Sequence, residues 1–214
     1  MQRHPAFAAA PLLLIASLAP GLKAEERASP PSLRIKQAVY NGSGCPRGSS
    51  DLNYTAGRRG LTLAIEGFDV AYGSGVPLSR SRRNCSLTVE LDSASGWQYA
   101  SRGVRAWGGI DLDPGLVATV TVDASFAGDP RTGVFSQSFS GPIDQSLFIS
   151  HAPTTSQEVW SPCTLSRALT LNFAVRIAPR VRPAPAGSKG QVHIDRLGWL
   201  NTQSANLLLR PCQS

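Results

Sequence analysis

The chain has 214 residues with a formal net charge of +7, and 7% of the residues are aromatic. This length favours one domain with a substantial hydrophobic core. Proteins that bind nucleic acid usually cluster basic and stacking residues along one element. Here the basic residues are spread through the sequence, so no nucleic-acid partner is expected.

The N-terminal 24 residues have the pattern of a secretory signal peptide. Arg3 and His4 precede an apolar run over 6–19, and Ala24 or Ala19 offers a small residue for cleavage. A membrane-spanning helix needs about 20 apolar residues, which neither this run nor any later segment supplies. We therefore expect 1–24 to be a signal peptide, 25–33 a flexible lead-in and 34–214 a secreted domain without stable membrane insertion.

Four cysteines follow the predicted signal peptide: Cys45, Cys85, Cys163 and Cys212. An even number in a secreted chain indicates two disulfides, for which three connectivities exist. We expect Cys45–Cys85 and Cys163–Cys212, which would tie the N-terminal and C-terminal parts separately. Zinc sites space their cysteines more closely than this, so neither a metal nor a cofactor is expected.

Apolar and polar residues alternate along several segments, as in half-buried β-strands. The longest run has its apolar members at Leu169, Leu171, Phe173, Val175 and Ile177. Shorter runs lie within 61–66 and 87–91, and 116–126 is rich in Val and Thr. Gly- and Pro-containing turns separate them, and no stretch has a helical period. The sequence predicts an all-β fold, a single antiparallel β-sandwich of jelly-roll type.

Five motifs in order resemble a known family. They are Gly42-Ser-Gly-Cys45-Pro-Arg-Gly-Ser49, Ser81-Arg-Arg-Asn-Cys85, Gly96-Trp-Gln-Tyr99, Ser138-Phe-Ser-Gly-Pro142 and Val159-Trp-Ser-Pro-Cys163. Their order is similar to the secreted domain of unknown function family 4360 of fungi and bacteria, over about residues 34–212. The ending Leu209-Arg-Pro-Cys212 differs from the family pattern, and 180–190 resembles an insertion. The resemblance implies a single four-cysteine domain and no specific activity.

Catalytic signatures are weak. His193 and Asp195 would share one face of a strand, the arrangement of an oriented imidazole. A nucleophile would have to complete the group, and the chain contains no Gly-x-Ser-x-Gly motif. A solvent-facing polar pair is the simpler interpretation.

Carboxylates offer two further hypotheses. Asp111 and Asp113 could begin a calcium site, although Asp113-Pro114-Gly115 is also a typical turn. Glycoside hydrolysis needs two carboxyl groups facing each other across a cleft. The possible members are Glu66, Glu90, Asp92, Asp111 and Asp113, and their spacing selects no pair.

Aromatic residues are the better candidates for ligand binding. Trp97, Tyr99 and Trp107 lie close in sequence, and exposed rings on one sheet face could stack on sugars. The alternative is that they fill the core. Trp160 is expected to pack over the disulfide of Cys163.

Two surface features complete the candidates. Arg80, Arg82 and Arg83 form a basic segment that could meet an acidic glycan or a membrane headgroup, or remain solvated. Asn41, Asn53 and Asn84 each begin an N-glycosylation motif, which matters only in a host that glycosylates secreted proteins.

Together these patterns favour a non-enzymatic extracellular protein that binds a glycan or a protein at a cell wall or surface. The alternative is a carbohydrate-active hydrolase with paired carboxylates.

Overall fold

A computed structural model describes residues 34–54, 61–92, 95–101, 104–129, 132–151, 158–163, 167–199 and 207–212. The predicted signal peptide and lead-in lie outside these residues. Within them, no helix is long and apolar enough to cross a membrane.

The described residues form strands and one short 3-10 turn at Leu78–Ser81. The strands are β1 (Arg34–Asn41), β2 (Ser50–Tyr54), β3 (Leu61–Tyr72), β4 (Arg82–Asp92), β5 (Trp97–Ser101), β6 (Val104–Leu112), β7 (Leu116–Phe126), β8 (Thr132–Ser140), β9 (Ile143–His151), β10 (Leu169–Pro179), β11 (Gly190–Trp199) and β12 (Leu207–Pro211). The all-β prediction is therefore confirmed.

The strands assemble into two five-stranded antiparallel sheets and a small two-stranded one, β12-β5. The front sheet has the order β2-β3-β11-β6-β9, and the back sheet has the order β1-β4-β10-β7-β8. The pairs β3/β4, β6/β7, β8/β9 and β10/β11 are consecutive in the chain but lie in opposite sheets. This repeated crossing is the connectivity of a jelly roll, so the predicted sandwich is also confirmed.

The core lies between the two sheets, and strand alternation explains which residues enter it. Along β10, every second residue from Leu169 to Ile177 is buried, as its sequence pattern predicts. Phe173 of this strand meets Phe68 of β3 edge to face, with ring centroids 5.7 Å apart. Such aromatic contacts between the sheets fix their relative position.

Both disulfides have the predicted pairing, Cys45–Cys85 and Cys163–Cys212. Cys45 and Cys85 are completely buried, whereas Cys163 is exposed. Beside the buried disulfide, a Cβ on Gly44 would lie 2.2 Å from the ring of Phe68. Glycine is required there because the loop approaches the core too closely for any side chain.

Candidate functional site

The outer face of the front sheet carries an unusual set of side chains. On β6, Val104, Ala106, Ile110 and Leu112 are buried, which directs the intervening residues outward. Strand β9 pairs with β6, so each outward residue of β6 has a partner on the same face of β9. Each such pair forms a row across the two strands. The rows that face solvent on these two strands are Arg105–Ser150, Trp107–Phe148, Gly109–Ser146 and Asp111–Asp144.

Two consecutive glycines line a depression in this face. A Cβ on Gly108 would lie 1.9 Å from the carbonyl oxygen of His193, and one on Gly109 would lie 2.2 Å from the His193 ring. The imidazole thus fills the space above Gly109. The depression has a volume of about 410 Å³. Its polar lining side chains are Asp111, Asp144, Gln145, Ser146, Gln191 and His193.

A second depression of about 380 Å³ adjoins the first, since both are lined by Asp111 and Gln191. It extends across β11 to Tyr72 at the end of β3 and to Lys189 before β11. We call the two depressions together the groove. It crosses β9, β6 and β11 and reaches the end of β3.

An aromatic pair borders the groove. Trp107 and Phe148 lie opposite each other on β6 and β9, with ring centroids 5.6 Å apart. Phe148 is 57% exposed, which is unusual for a large apolar side chain. The guanidinium of Arg196 lies 5.2 Å from the centre of the Trp107 ring, on the same face. We call Trp107 and Phe148 the aromatic pair.

His193 lies among carboxylates on this face. Its Nε2 is 4.0 Å from Oδ2 of Asp195, and both side chains are about half exposed or more. Asp69 of β3 is its direct partner across β3 and β11. The predicted adjacency of His193 and Asp195 is thus observed, but as a solvent-facing pair. The hydroxyl nearest in this row is that of Ser146, across β6 on β9.

The carboxylates suggested for hydrolysis do not gather in one place. Asp111 and Asp113 line the groove. Glu66 is exposed on β3, whereas Glu90 and Asp92 belong to β4 in the other sheet. Sequence reasoning missed Asp144, which lies directly opposite Asp111.

Asp113 has a structural role at the edge of the groove. Its Oδ2 accepts a hydrogen bond from the backbone N–H of Lys189 at 2.7 Å. Its carbonyl oxygen accepts from Leu116 across the predicted Asp113-Pro114-Gly115 turn. In the described part of the chain, no three or more side chains of His, Cys, Asp and Glu are grouped as a metal site requires.

Two of the three predicted aromatic candidates do not reach this face. Tyr99 is 1% exposed and belongs to the core, where it meets Phe126 edge to face with ring centroids 5.3 Å apart. Its hydroxyl donates a hydrogen bond to the carbonyl oxygen of Arg167, and burial raises its pKa to about 12. Tyr99 therefore cannot stack on a ligand from solvent. Trp97 is half-buried in the small β12-β5 sheet, away from Trp107.

The remaining sequence candidates lie outside the groove. Trp160 is covered by the guanidinium of Arg210, 4.0 Å from its ring centre. Asn41 and Asn53 are exposed, while the side-chain oxygen of Asn84 accepts a hydrogen bond from Ser43. Whether any of the three carries a glycan stays a prediction.

Residues 31–212 match the model of a family described as a domain of unknown function, DUF4360. The chain belongs to the DUF4360 family. A related protein of the fungus Arthroderma benhamiae, described as an uncharacterized secreted protein, is 28% identical over 155 residues. That match covers 72% of this chain and 63% of the fungal protein.

Two solved structures resemble this DUF4360 domain only distantly. TmCBM61 in complex with beta-1,4-galactotriose is 9% identical, with a TM-score of 0.26 over 84% of this chain and 91% of that one. The 7S globulin of Momordica charantia is 11% identical, with a TM-score of 0.17 over 82% of this chain and 38% of that one. Both scores are too low to indicate a shared fold.

Proposed function

We propose that this DUF4360 domain is a non-enzymatic extracellular protein that binds a glycan chain in the front-sheet groove. The secreted fungal relative and the two disulfides support an extracellular location. The aromatic pair beside an open polar groove is the observation that carries the proposal.

The chemistry of the groove suits a sugar. Pyranose rings have an apolar C–H face and polar edges, and aromatic rings bind the first while amides, carboxylates and hydroxyls bind the second. Trp107 and Phe148 supply the rings. Ser146 in the next row of the same two strands, and Asp111, Asp144 and Gln191 beyond it, supply hydrogen-bonding groups. Arg196 and Gly198 pack against Trp107 and hold its ring in place.

A panel of insoluble and soluble neutral wall polysaccharides tests this proposal through pull-down and affinity electrophoresis of the domain. We expect retention on at least one polymer. Phe148→Ala and Trp107→Ala should each weaken it about tenfold, which corresponds to about 1.4 kcal/mol of lost contact. Val134→Ala is the matched control, because Val134 is 49% exposed on the back sheet. Failure of every polymer, or equal binding by all variants, would refute the proposal.

The Asp111–Asp144 pair supports hydrolysis as a second candidate. Residues directly opposite on antiparallel strands have Cβ atoms about 4.5–5.5 Å apart, which is compatible with paired catalytic carboxyls. Both side chains are exposed, however, whereas a glycosidase acid lies in an enclosed cleft. Release of reducing ends from a retained polymer, abolished by Asp144→Asn, would favour the enzyme over the binding protein.

A further inference from the structure

The back sheet carries a feature that the front-sheet groove does not explain. Arg82 of β4 and Arg176 of β10 are direct partners across the two strands, and both are exposed. The neighbours of Arg176 on its own strand, Val175 and Ile177, are buried. The alternation of the strand therefore directs Arg176 to the outer face, beside Arg82.

Like charges directly opposite each other destabilise a sheet. The same row continues with Thr119 of β7 and Ser138 of β8, whose hydroxyls are hydrogen-bonded at 3.2 Å. Asp123 is the carboxylate on the β7 part of this face, four residues from Thr119. It accepts a hydrogen bond from the side-chain amide of Asn172, its partner on β10. Within the ranges that the structure describes, neither arginine has an ion-pair partner.

Further arginines lie in the segments that adjoin these two strands. Arg80 lies in the 3-10 turn directly before β4, a turn that contacts β10. Arg180 and Arg182 follow the end of β10, and all three are exposed. We call these five residues (Arg80, Arg82, Arg176, Arg180, Arg182) the basic patch. Guanidinium groups bind carboxylates through two parallel hydrogen bonds and stay charged at every physiological pH.

We propose that the basic patch is a second binding surface, separate from the groove, for a polysaccharide that carries carboxylate groups. A carboxylate between Arg82 and Arg176 would relieve their repulsion, and the hydroxyls of Thr119 and Ser138 would bond to the sugar beside it. The row Arg82–Arg176–Thr119–Ser138 offers guanidinium and hydroxyl groups side by side, as a carboxylated sugar requires. Leu78, in the turn of Arg80, and Val181, between Arg180 and Arg182, are exposed apolar side chains through which an acidic membrane would bind instead. The vesicle experiment below distinguishes the two partners.

Affinity electrophoresis in polygalacturonate tests the proposal, with fully methyl-esterified pectin as the uncharged counterpart. The domain should be retarded by the first polymer and not by the second, and salt should weaken the retardation through screening. Arg82→Ala/Arg176→Ala should lose at least tenfold in affinity. Arg176→Ala and Arg47→Ala remove one positive charge each, and Arg47 is an exposed loop residue outside the patch. Only the first of these single variants should weaken binding.

Three outcomes would overturn the proposal: equal losses in Arg176→Ala and Arg47→Ala, no retardation by polygalacturonate, or sedimentation with phosphatidylglycerol vesicles without binding to polygalacturonate. Thermal unfolding of the double variant should occur at or above the wild-type midpoint, which separates lost binding from lost folding. Trp107→Ala should leave polygalacturonate binding unchanged, so failure at the groove and failure at the basic patch are distinguishable.

Discussion

The imidazole of His193 lies directly over Gly109, in the space where any other residue would place its side chain. A Cβ at position 109 would be 2.2 Å from Cε1 and 2.9 Å from Nε2 of the ring. The two residues are cross-strand partners in β11 and β6. Gly109 thereby determines both the height of the groove floor and the position of a hydrogen-bonding group on it.

Gly109→Ala should displace the His193 ring and weaken glycan binding several-fold, with a loss of about 1–3 kcal/mol in unfolding free energy from overpacking. Urea denaturation and affinity electrophoresis measure the two effects. Gly109→Ala/His193→Ala is the matched control, because the added methyl group then has room. The unfolding free energy of this double variant should be higher than the sum of the effects of Gly109→Ala and His193→Ala predicts. If the two effects simply add, the His193 ring does not confine position 109.

Burial of the Tyr99 hydroxyl makes stability depend on pH in the alkaline range. The folded-state pKa of about 12 exceeds the ordinary 10.0, so the folded protein keeps a proton that the unfolded chain loses. The stabilisation is complete below pH 10 and is lost as the pH rises towards 12, by about 2–3 kcal/mol in total.

The stability of Tyr99→Phe relative to the wild type should therefore change with pH. Near pH 8 it should be less stable than the wild type by about 1 kcal/mol, because the hydrogen bond to Arg167 is missing. Above pH 11 that deficit should shrink or change sign in urea denaturation. Tyr72→Phe, at the groove, controls for removal of a hydroxyl elsewhere. A constant difference between wild type and Tyr99→Phe at all pH values would contradict the linkage.

The two disulfides should respond differently to reductant. Cys45 and Cys85 are fully buried, whereas Cys163 is exposed, so a mild thiol should open Cys163–Cys212 first. Mass spectrometry after timed alkylation gives the order. Opening of Cys45–Cys85 first would mean that the loop around Gly44 separates from the core in solution.

Replacing each disulfide by two alanines should cost about 2–5 kcal/mol of unfolding free energy. The sequence separations of 40 and 49 give similar chain-entropy contributions. Cys45→Ala/Cys85→Ala should nevertheless be the less stable variant, since it also leaves a cavity in the core. Chemical denaturation ranks the two, and a larger loss from Cys163→Ala/Cys212→Ala would contradict this expectation.

Arg176→Thr should stabilise the isolated domain by about 0.2–1 kcal/mol, because it removes a like-charge pair and introduces a β-branched residue into a strand. Thermal unfolding at low salt measures the change, which should shrink at high salt. Arg47→Thr, outside the sheets, is the control. Destabilisation by Arg176→Thr would show that the guanidinium already has a favourable partner within the domain.

Local patterns predicted most of the fold but little of the candidate site. Period-two alternation identified β10, the first half of β3 and the second half of β4, because each sheet has one face in the core. The enrichment in Val and Thr identified β7. The same rule placed Trp97 and Tyr99 on one strand face but did not determine whether that face points to solvent. The pattern therefore left Tyr99 as either a ligand-stacking or a core residue, and the structure places its ring in the core.

The aromatic pair illustrates what sequence reasoning could not reach. Trp107 was a candidate, but Phe148 was not, since the two meet only through the β6–β9 pairing of distant segments. One local signal was present. Phe148 lies between the buried residues Leu147 and Ile149, so strand alternation places it on the opposite, solvent-facing side of β9. An aromatic residue on the polar side of an alternating strand is a useful marker of a binding face.

The connectivity that sends consecutive strands to opposite sheets also places the aromatic pair and the Arg82–Arg176 pair on opposite outer faces of the sandwich. A polymer bound at the aromatic pair and a polymer bound at Arg82 and Arg176 would have the hydrophobic core between them. A single domain could then hold two different chains about one sandwich thickness apart. In a mixed gel of neutral and acidic polymers, the domain would act as a cross-link between the two kinds of chain. The stiffness of the gel should then rise at a molar ratio near one domain for each junction between two chains.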